Sequence, residues 1–269
     1  MSVDKSAASL RRCLTSERSL AVAVSGGMDS MTLSIIAHRL MGDAVEIFHA
    51  KSAAVPPEAT QRVRDYADRE GWVLHVFDAG EFHNREYLNN PVNRCFHCKL
   101  SLYSAISERT SARIVSGTNK DDLGDYRPGL NAAREHKVRH PYVECDIDKQ
   151  AVRALARHLG LPEISELPAA PCLASRIETG IGIDADMLAR VHAAEKLVAE
   201  RVVQKILRCR VRSVGIVIEL DRESLGRVTE PEKNLLRRGI GGIFSDVQDA
   251  GTVSFEPYQT GSAFVGEKN

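Results

Sequence analysis

The sequence predicts an α/β protein, a parallel sheet with helices on both faces, followed by a smaller C-terminal α+β domain. Two observations carry this. Short apolar runs rich in β-branched residues alternate with stretches of helical spacing, as strand–helix–strand units on a parallel sheet require. The alternation then stops near Ile164, where LPAAPCLASRI brings in proline and a different rhythm. The boundary therefore falls near residue 165, giving domains 1–165 and 166–269.

SLAVAVS (19–25) is a continuous apolar run of strand length, closed by a glycine pair. Apolar residues at helical spacing follow from Met28 to Met41, and AVEIFHA (44–50) supplies a second strand. Pro56-Pro57 open a polar helix, EATQRVRDYADREG, before the third strand in WVLHVFDAG (72–80). Cys95 to Arg109 reads as helix and ARIVSGT (112–118) as the fourth strand. DKQAVRALARHLG (148–160) is a further helix, stopped by Gly160 with Pro162 beyond. In the second domain DADMLARVHAAEKLVAERVV (184–203) is helical, and RVRSVGIVIEL (210–220) and GTVSFEPY (251–258) carry strand character.

Of the 269 residues 43% are hydrophobic and 27% charged, which is enough apolar material for a sizeable core. Lys plus Arg and Asp plus Glu both total 36, so net charge gives no support for broad nucleic-acid or membrane-surface binding. No stretch approaches the roughly 18 apolar residues of a membrane span. The opening MSVDKSAASLRRCLTSERSL lacks the apolar core of a signal peptide. The expectation is a cytoplasmic protein. There, six cysteines point to metal or catalytic chemistry more than to a disulfide framework, with Cys13, Cys145 and Cys209 read as structural thiols.

SGGMDS (25–30) lies between the first strand and the helix after it. Gly26 and Gly27 let successive N–H groups approach a ligand, and the helix dipole favours an anion at the same place. Ser25 and Ser30 add hydroxyls, and Asp29 suits a metal-bound phosphate. A Walker A loop would need a lysine after its last glycine, and there is none. The string matches the PP-loop signature of the ATP pyrophosphatase superfamily. That resemblance implies a sheet of the adenine nucleotide alpha hydrolase type, with ATP phosphates cradled by Ser25, Gly26, Gly27, Asp29 and Ser30. The segment SGTNKDDLGDYRPG (116–129) opens on the same sheet edge. Gly117 permits close backbone approach, and Arg127 suits a phosphate or carboxylate, so both are expected at the ATP site. Asp121, Asp122 and Asp125 are oxygen donors of the kind magnesium prefers, or else caps of the next helix. Asp29 and Asp121 are the expected Mg2+ ligands.

NRCFHCKL (93–100) places Cys95 and Cys98 as half of a site. A third cysteine, Cys172 in PAAPCLASRI (168–177), lies in a loop-like stretch four residues before Arg176, whose charge favours thiolate. Three thiolates on an iron–sulfur cubane leave one iron open for hydrosulfide, whereas structural zinc wants a fourth protein ligand, for which His83 and His140 stand available. A third possibility is no metal at all, with Cys172 acting alone.

SGGMDS, NRCFHCK, GTNKDDLGDYRPGL, PAAPCLASRI and the closing PYQTGS, in that order, resemble the LarE family, over about residues 18 to 262. These are ATP-dependent sulfur transferases that build the nickel-pincer cofactor of lactate racemase and related enzymes. The resemblance implies adenylation of a carboxylate of a pyridinium dicarboxylate mononucleotide, with sulfur delivered at the position of Cys172. Some members sacrifice that cysteine to dehydroalanine; others, with matches to Cys95 and Cys98, hold a 4Fe–4S cluster carrying an extra sulfide. All three cysteines are present here, which implies the cluster type. The resemblance further implies catalytic roles for Arg176 and Glu195 beside Cys172. Arg210 and Arg212, alternating onto one strand face, would form the pocket for the substrate phosphate. It also implies sulfide or another sulfur donor, a small anionic nucleotide substrate, and a homo-oligomer, a hexamer among the forms. In one departure, Gln259 follows Tyr258 where the family usually has arginine. Two rival readings stand beside it: a tRNA thiolase of the same superfamily, against which the neutral charge counts, and a non-catalytic nucleotide or redox sensor.

Overall fold

Four apolar runs become the strands β1 (Leu20–Ala23), β2 (Val45–Ala50), β3 (Val73–Phe77) and β4 (Arg113–Ser116), paired in the order β3-β2-β1-β4 and all parallel. The structure is a computed structural model that describes residues 2–124, 127–169, 171–247 and 251–264. The chain forms two units: Met1–Asn84 with Asn93–Ala170, and Arg85–Val92 with Pro171–Asn269.

In the first unit the parallel pairing demands long crossovers. The longer helices of this unit are α1 (Val3–Leu14), α2 (Met28–Met41), α3 (Pro57–Glu70), α4 (Arg94–Ser107), α5 (Gly129–Glu135) and α6 (Lys149–His158). The period-2 alternation of β1 sorts its residues between two cores. Leu20 and Val22 pack with Leu10 and Leu14 of α1, Met31 and Leu33 of α2, and Val152 and Leu155 of α6. Ala21 and Ala23 pack with Phe48, Ile114, Tyr103 and Ile106 of α4, and Ala132 and Ala133 of α5. Each fully buried Leu, Ile or Phe contributes about 1.5–3 kcal/mol, so both helical layers are held by the sheet they cover. This is the expected fold class. α1 has no counterpart in the sequence reading; Ser2 caps it through Lys5 N–H at 3.4 Å, and its apolar face joins the core.

The second unit holds a three-stranded sheet, β5 (Leu207–Arg212), β6 (Gly215–Leu220) and β7 (Thr252–Pro257), in that order. β5 and β6 form a hairpin in register from Leu207↔Leu220 to Arg212↔Gly215, so the stretch read as RVRSVGIVIEL folds back at Ser213–Val214. β7 runs parallel to β6. α7 (Ala185–Ala199) starts at Asp184, whose carboxylate accepts from Met187 N–H at 2.8 Å. α8 (Glu230–Ile243), in the β6–β7 crossover, starts at a Thr229–Glu232 capping box. The segment 85–92 is tied into this unit through buried Asn90, left-handed at φ 53. Its Nδ2 donates to the carbonyls of Glu178 and Ile181, both at 2.8 Å, and Ile183 N–H donates to Leu88 O at 2.8 Å.

Candidate active site

In the first unit, β1 and β4 are neighbours, so the loops leaving their C-terminal ends lie side by side, where ligands bind in open parallel sheets. The SGGMDS loop is shaped by two close approaches. Gly26, at φ +80, lies so near α3 that a Cβ there would stand 2.7 Å from Ala59 O. Arg62 Nη1 then donates to Gly26 O at 2.7 Å. From the other side, a Cβ on Gly117 would stand 2.7 Å from Ser30 N and 2.9 Å from Asp29 C. The β4 loop therefore packs directly on the first turn of α2. Gly27 is the N-cap of that helix and supplies no side-chain acceptor, which leaves the first-turn amides suited to an anion.

The two serines brace the loop. Ser30 Oγ accepts from Ser25 N–H, bonds Ser25 Oγ and donates to Gly27 O, each at 3.1 Å. Asp29 Oδ1 accepts from Asn119 Nδ2 at 3.2 Å, and Oδ2 pairs with Lys149 Nζ. Tyr142 O–H donates to Asp29 O at 3.2 Å; burial holds this phenol well above its ordinary pKa. Asn119, itself buried, takes Asp121 N–H on Oδ1 and gives its own N–H to Asp122 Oδ2, both at 3.0 Å. Asp121 Oδ2 accepts from Lys149 N–H, the first amide of α6, at 3.0 Å, while Asp148 caps the helix through Ala151 N–H at 2.7 Å. Asp122 pairs with Arg127 at 2.7 Å. Asp125 lies outside the described residues. Lys149 and Asn119 were not singled out from sequence: Asn119 stood in view inside GTNKDD, whereas nothing local marks a lysine 120 residues from Asp29.

Cys95 and Cys98 sit one turn apart on α4, half-buried and outside any disulfide. Gly129 of α5 lies against that turn, where a Cβ would stand 3.4 Å from Cys95 O. Spacing and chemistry suit two thiolates of one cluster. Among the described residues, however, no group of three or more His, Cys, Asp or Glu is gathered so as to hold a metal ion. Cys13 Sγ donates to Glu144 Oε2 at 3.3 Å, and burial, then that hydrogen bond, pushes the thiol up to about 12. Cys209, fully buried on β5, is likewise raised by burial.

In the second unit Cys172 is exposed and precedes a short 3-10 turn, Leu173–Arg176. Arg176 is buried and pairs with Glu195 of α7 through Nε–Oε1 at 2.9 Å and Nη2–Oε2 at 3.2 Å. Glu195 Oε1 also accepts from Cys209 N–H at 3.0 Å. Arg210 and Arg212 lie on one face of β5, and Glu219 of β6, in register with Arg208, bonds both. Glu219 is fully buried and accepts from Arg210 Nε at 2.8 Å, Arg212 Nη2 at 2.5 Å and Ser262 Oγ of the closing PYQTGS stretch at 2.6 Å. Arg212 Nη1 continues to Glu256 of β7 at 2.8 Å. Arg208 joins the same stripe, and burial with Arg176 nearby holds it below the usual guanidinium range. The expected residues of this unit are thus one connected network, in which Glu219 and Arg208 were not foreseen.

No family model matches the chain. It is 32% identical over 248 residues to an uncharacterized protein of Synechocystis sp., covering 89% of this chain and 90% of that protein. It is 31% identical over 194 residues to the pyridinium-3,5-bisthiocarboxylic acid mononucleotide synthase of Lactiplantibacillus plantarum, 70% of each chain. A more distant likeness, 26% over 192 residues, links it to one component of the glutamine-hydrolyzing GMP synthase of Methanopyrus kandleri, 65% of this chain and 61% of that one.

Proposed function

The chain belongs to the LarE family of PP-loop proteins, and on that premise we propose that it is an ATP-dependent sulfurtransferase of nickel-pincer cofactor synthesis. One observation supports this most: an α2 N-terminus without a side-chain cap, closed in by Gly26 and Gly117 at the end of a parallel sheet. That arrangement binds phosphate through backbone amides and leaves Asp29 beside it for magnesium. A carboxylate of the pyridinium dicarboxylate mononucleotide attacks the α-phosphorus of ATP and expels pyrophosphate. The resulting acyl adenylate has an electrophilic carbonyl, and attack by sulfur expels AMP. The second unit supplies Cys172 for sulfur delivery and, from the arginine face of β5, Arg212 for the anionic substrate.

In the finer reading Cys95, Cys98 and Cys172 hold a 4Fe–4S cluster, which when bound supplies an open iron for hydrosulfide. The donor set of three thiols supports it. Sulfide or another small sulfur donor, a cytoplasmic setting and a homo-oligomer complete the proposal. No helix among the described residues is long and apolar enough to cross a membrane.

Pyrophosphate release tests the core of this. It should require Mg-ATP and the pyridinium dicarboxylate mononucleotide together; tight ATP binding without release on any carboxylate would make the chain a nucleotide sensor. Iron and acid-labile sulfide in protein prepared without oxygen test the cluster. Cys95→Ala and Cys98→Ala should abolish both, and retention of iron in either variant removes that cysteine from the ligand set.

A further inference from the structure

The loop that carries Cys172 is held by its carbonyl oxygens. Arg176 Nη1 donates to Pro171 O at 2.6 Å, Cys172 O at 3.2 Å and Ser175 Oγ at 3.1 Å. Arg210 Nη1 reaches the same loop from β5 and donates to Ser175 O at 2.8 Å. Each guanidinium also meets a carboxylate: Glu195 takes Nε and Nη2 of Arg176, and Glu219 takes Nε of Arg210. Both arginine side chains are 5% exposed. Cys172, by contrast, is exposed.

A guanidinium has five N–H donors in a fixed fork. Arg176 directs its fork at one carboxylate and three loop acceptors. A buried arginine without a counter-charge is strongly unfavourable, so Glu195 and Glu219 are what allow the two forks to stay inside. The loop itself has little regular structure: a single four-residue 3-10 turn, and an Ile177–Val211 bridge to β5.

We propose that Arg176 and Arg210 form a clamp that fixes the backbone of the Cys172 loop and turns the thiol outward. On this assignment Arg176 and Glu195 are positioning residues that act through the loop and do not touch the reacting atoms. The catalytic meaning of the clamp rests on reading Cys172 as the sulfur-delivering residue. The gain is orientation: misplacing a reacting group by about 1 Å costs on the order of 100-fold in rate. Lysine keeps the charge but cannot serve a carboxylate and several carbonyls at once.

The test uses the full chain with Arg176→Lys and Arg210→Lys. Three quantities are read: hydrogen exchange at the Ser175 and Ile177 amides, iodoacetamide alkylation of Cys172 followed by peptide mass spectrometry, and kcat against KM. Both variants should speed exchange at those amides at least about tenfold and alter alkylation of Cys172. Each should lower kcat by up to about 100-fold while leaving KM for ATP unchanged. Wild-type exchange and alkylation in both variants, with kcat lost, would mean that the arginines act on the reacting atoms and would overturn the clamp. If either lysine variant fails to fold, Glu195→Gln carries the test by the same two loop measurements, and wild-type exchange there again overturns it. Absence of sulfur transfer in the unaltered protein would remove the functional reading, while exchange and alkylation would still decide the clamp.

Discussion

Gly117 shows how much of the site a single missing side chain determines. Nothing in its backbone angles demands glycine, yet a Cβ would meet Ser30 N at 2.7 Å, a distance that real Cβ atoms do not tolerate. Gly117→Ala should therefore push the β4 loop off the first turn of α2. The expected cost is about 1–3 kcal/mol in urea unfolding, with a larger proportional loss of Mg-ATP affinity by titration. Gly124, whose Cβ would meet nothing within 4 Å, is the control: Gly124→Ala should stay within about 0.5 kcal/mol of the unaltered protein. At this scale the glycines of SGGMDS and GTN were legible in the sequence, because phosphate loops need backbone without side chains. The direction of the Ser30 hydroxyl was not legible, since only the folded turn shows it bonded to Ser25 and Gly27. The Asp29–Lys149 pair was hidden for the same reason, a contact between residues far apart in the chain.

Among elements, the face shared by β5 and β6 gathers Arg208, Arg210, Arg212 and Glu219. Alternation predicted that Arg210 and Arg212 would share a face, and they do. What alternation could not supply was the hairpin turn at Ser213–Val214, which lacks the Asn-Gly or Asp-Gly signal and sets Glu219 opposite Arg208, within reach of Arg210 and Arg212. Glu219 is 1% exposed and serves two guanidiniums that are 5% and 16% exposed. Removing it leaves Arg210 without a carboxylate partner and Arg212 with only the half-exposed Glu256. Glu219→Ala should cost about 3–5 kcal/mol, read as a fall in the urea midpoint, because a broken buried pair leaves its surviving charge uncompensated. A cost below about 1 kcal/mol would show that water reaches this face.

Over the whole molecule, stability should depend on pH through two histidines of the first unit. His49 is fully buried, bonded to Val24 O and Thr60 Oγ1 at 2.9 Å each, and burial lowers its pKa. His140, bonded to Ser116 Oγ at 2.8 Å, is lowered by burial as well. Below their ordinary pKa of 6.5 the unfolded chain takes up protons that the folded chain refuses. Stability is therefore full above pH 6.5 and falls as pH drops beneath it, by up to about 1.4 kcal/mol per unit for each histidine. Urea midpoints at pH 7.5 and 5.5 check this, and equal midpoints would refute it. The parallel sheet was legible at this scale because buried strands read as continuous apolar runs. The allegiance of residues 85–92 was not, because nothing in REYLNNPV says which distant backbone Asn90 will bond.

That allegiance has a consequence for how the protein is made. Residues 85–92 leave the ribosome well before Glu178, Ile181 and Ile183, the backbone they will bind, have been synthesised. During that interval the carbonyls that Asn90 will serve do not yet exist, and the first unit is interrupted between Asn84 and Asn93 by a segment that belongs elsewhere. The second unit is completed only by reaching back for a strap translated much earlier. Its last hundred or so residues therefore do not form a cassette that can be grafted end to end onto another nucleotide-binding chain; the strap has to be inherited with them.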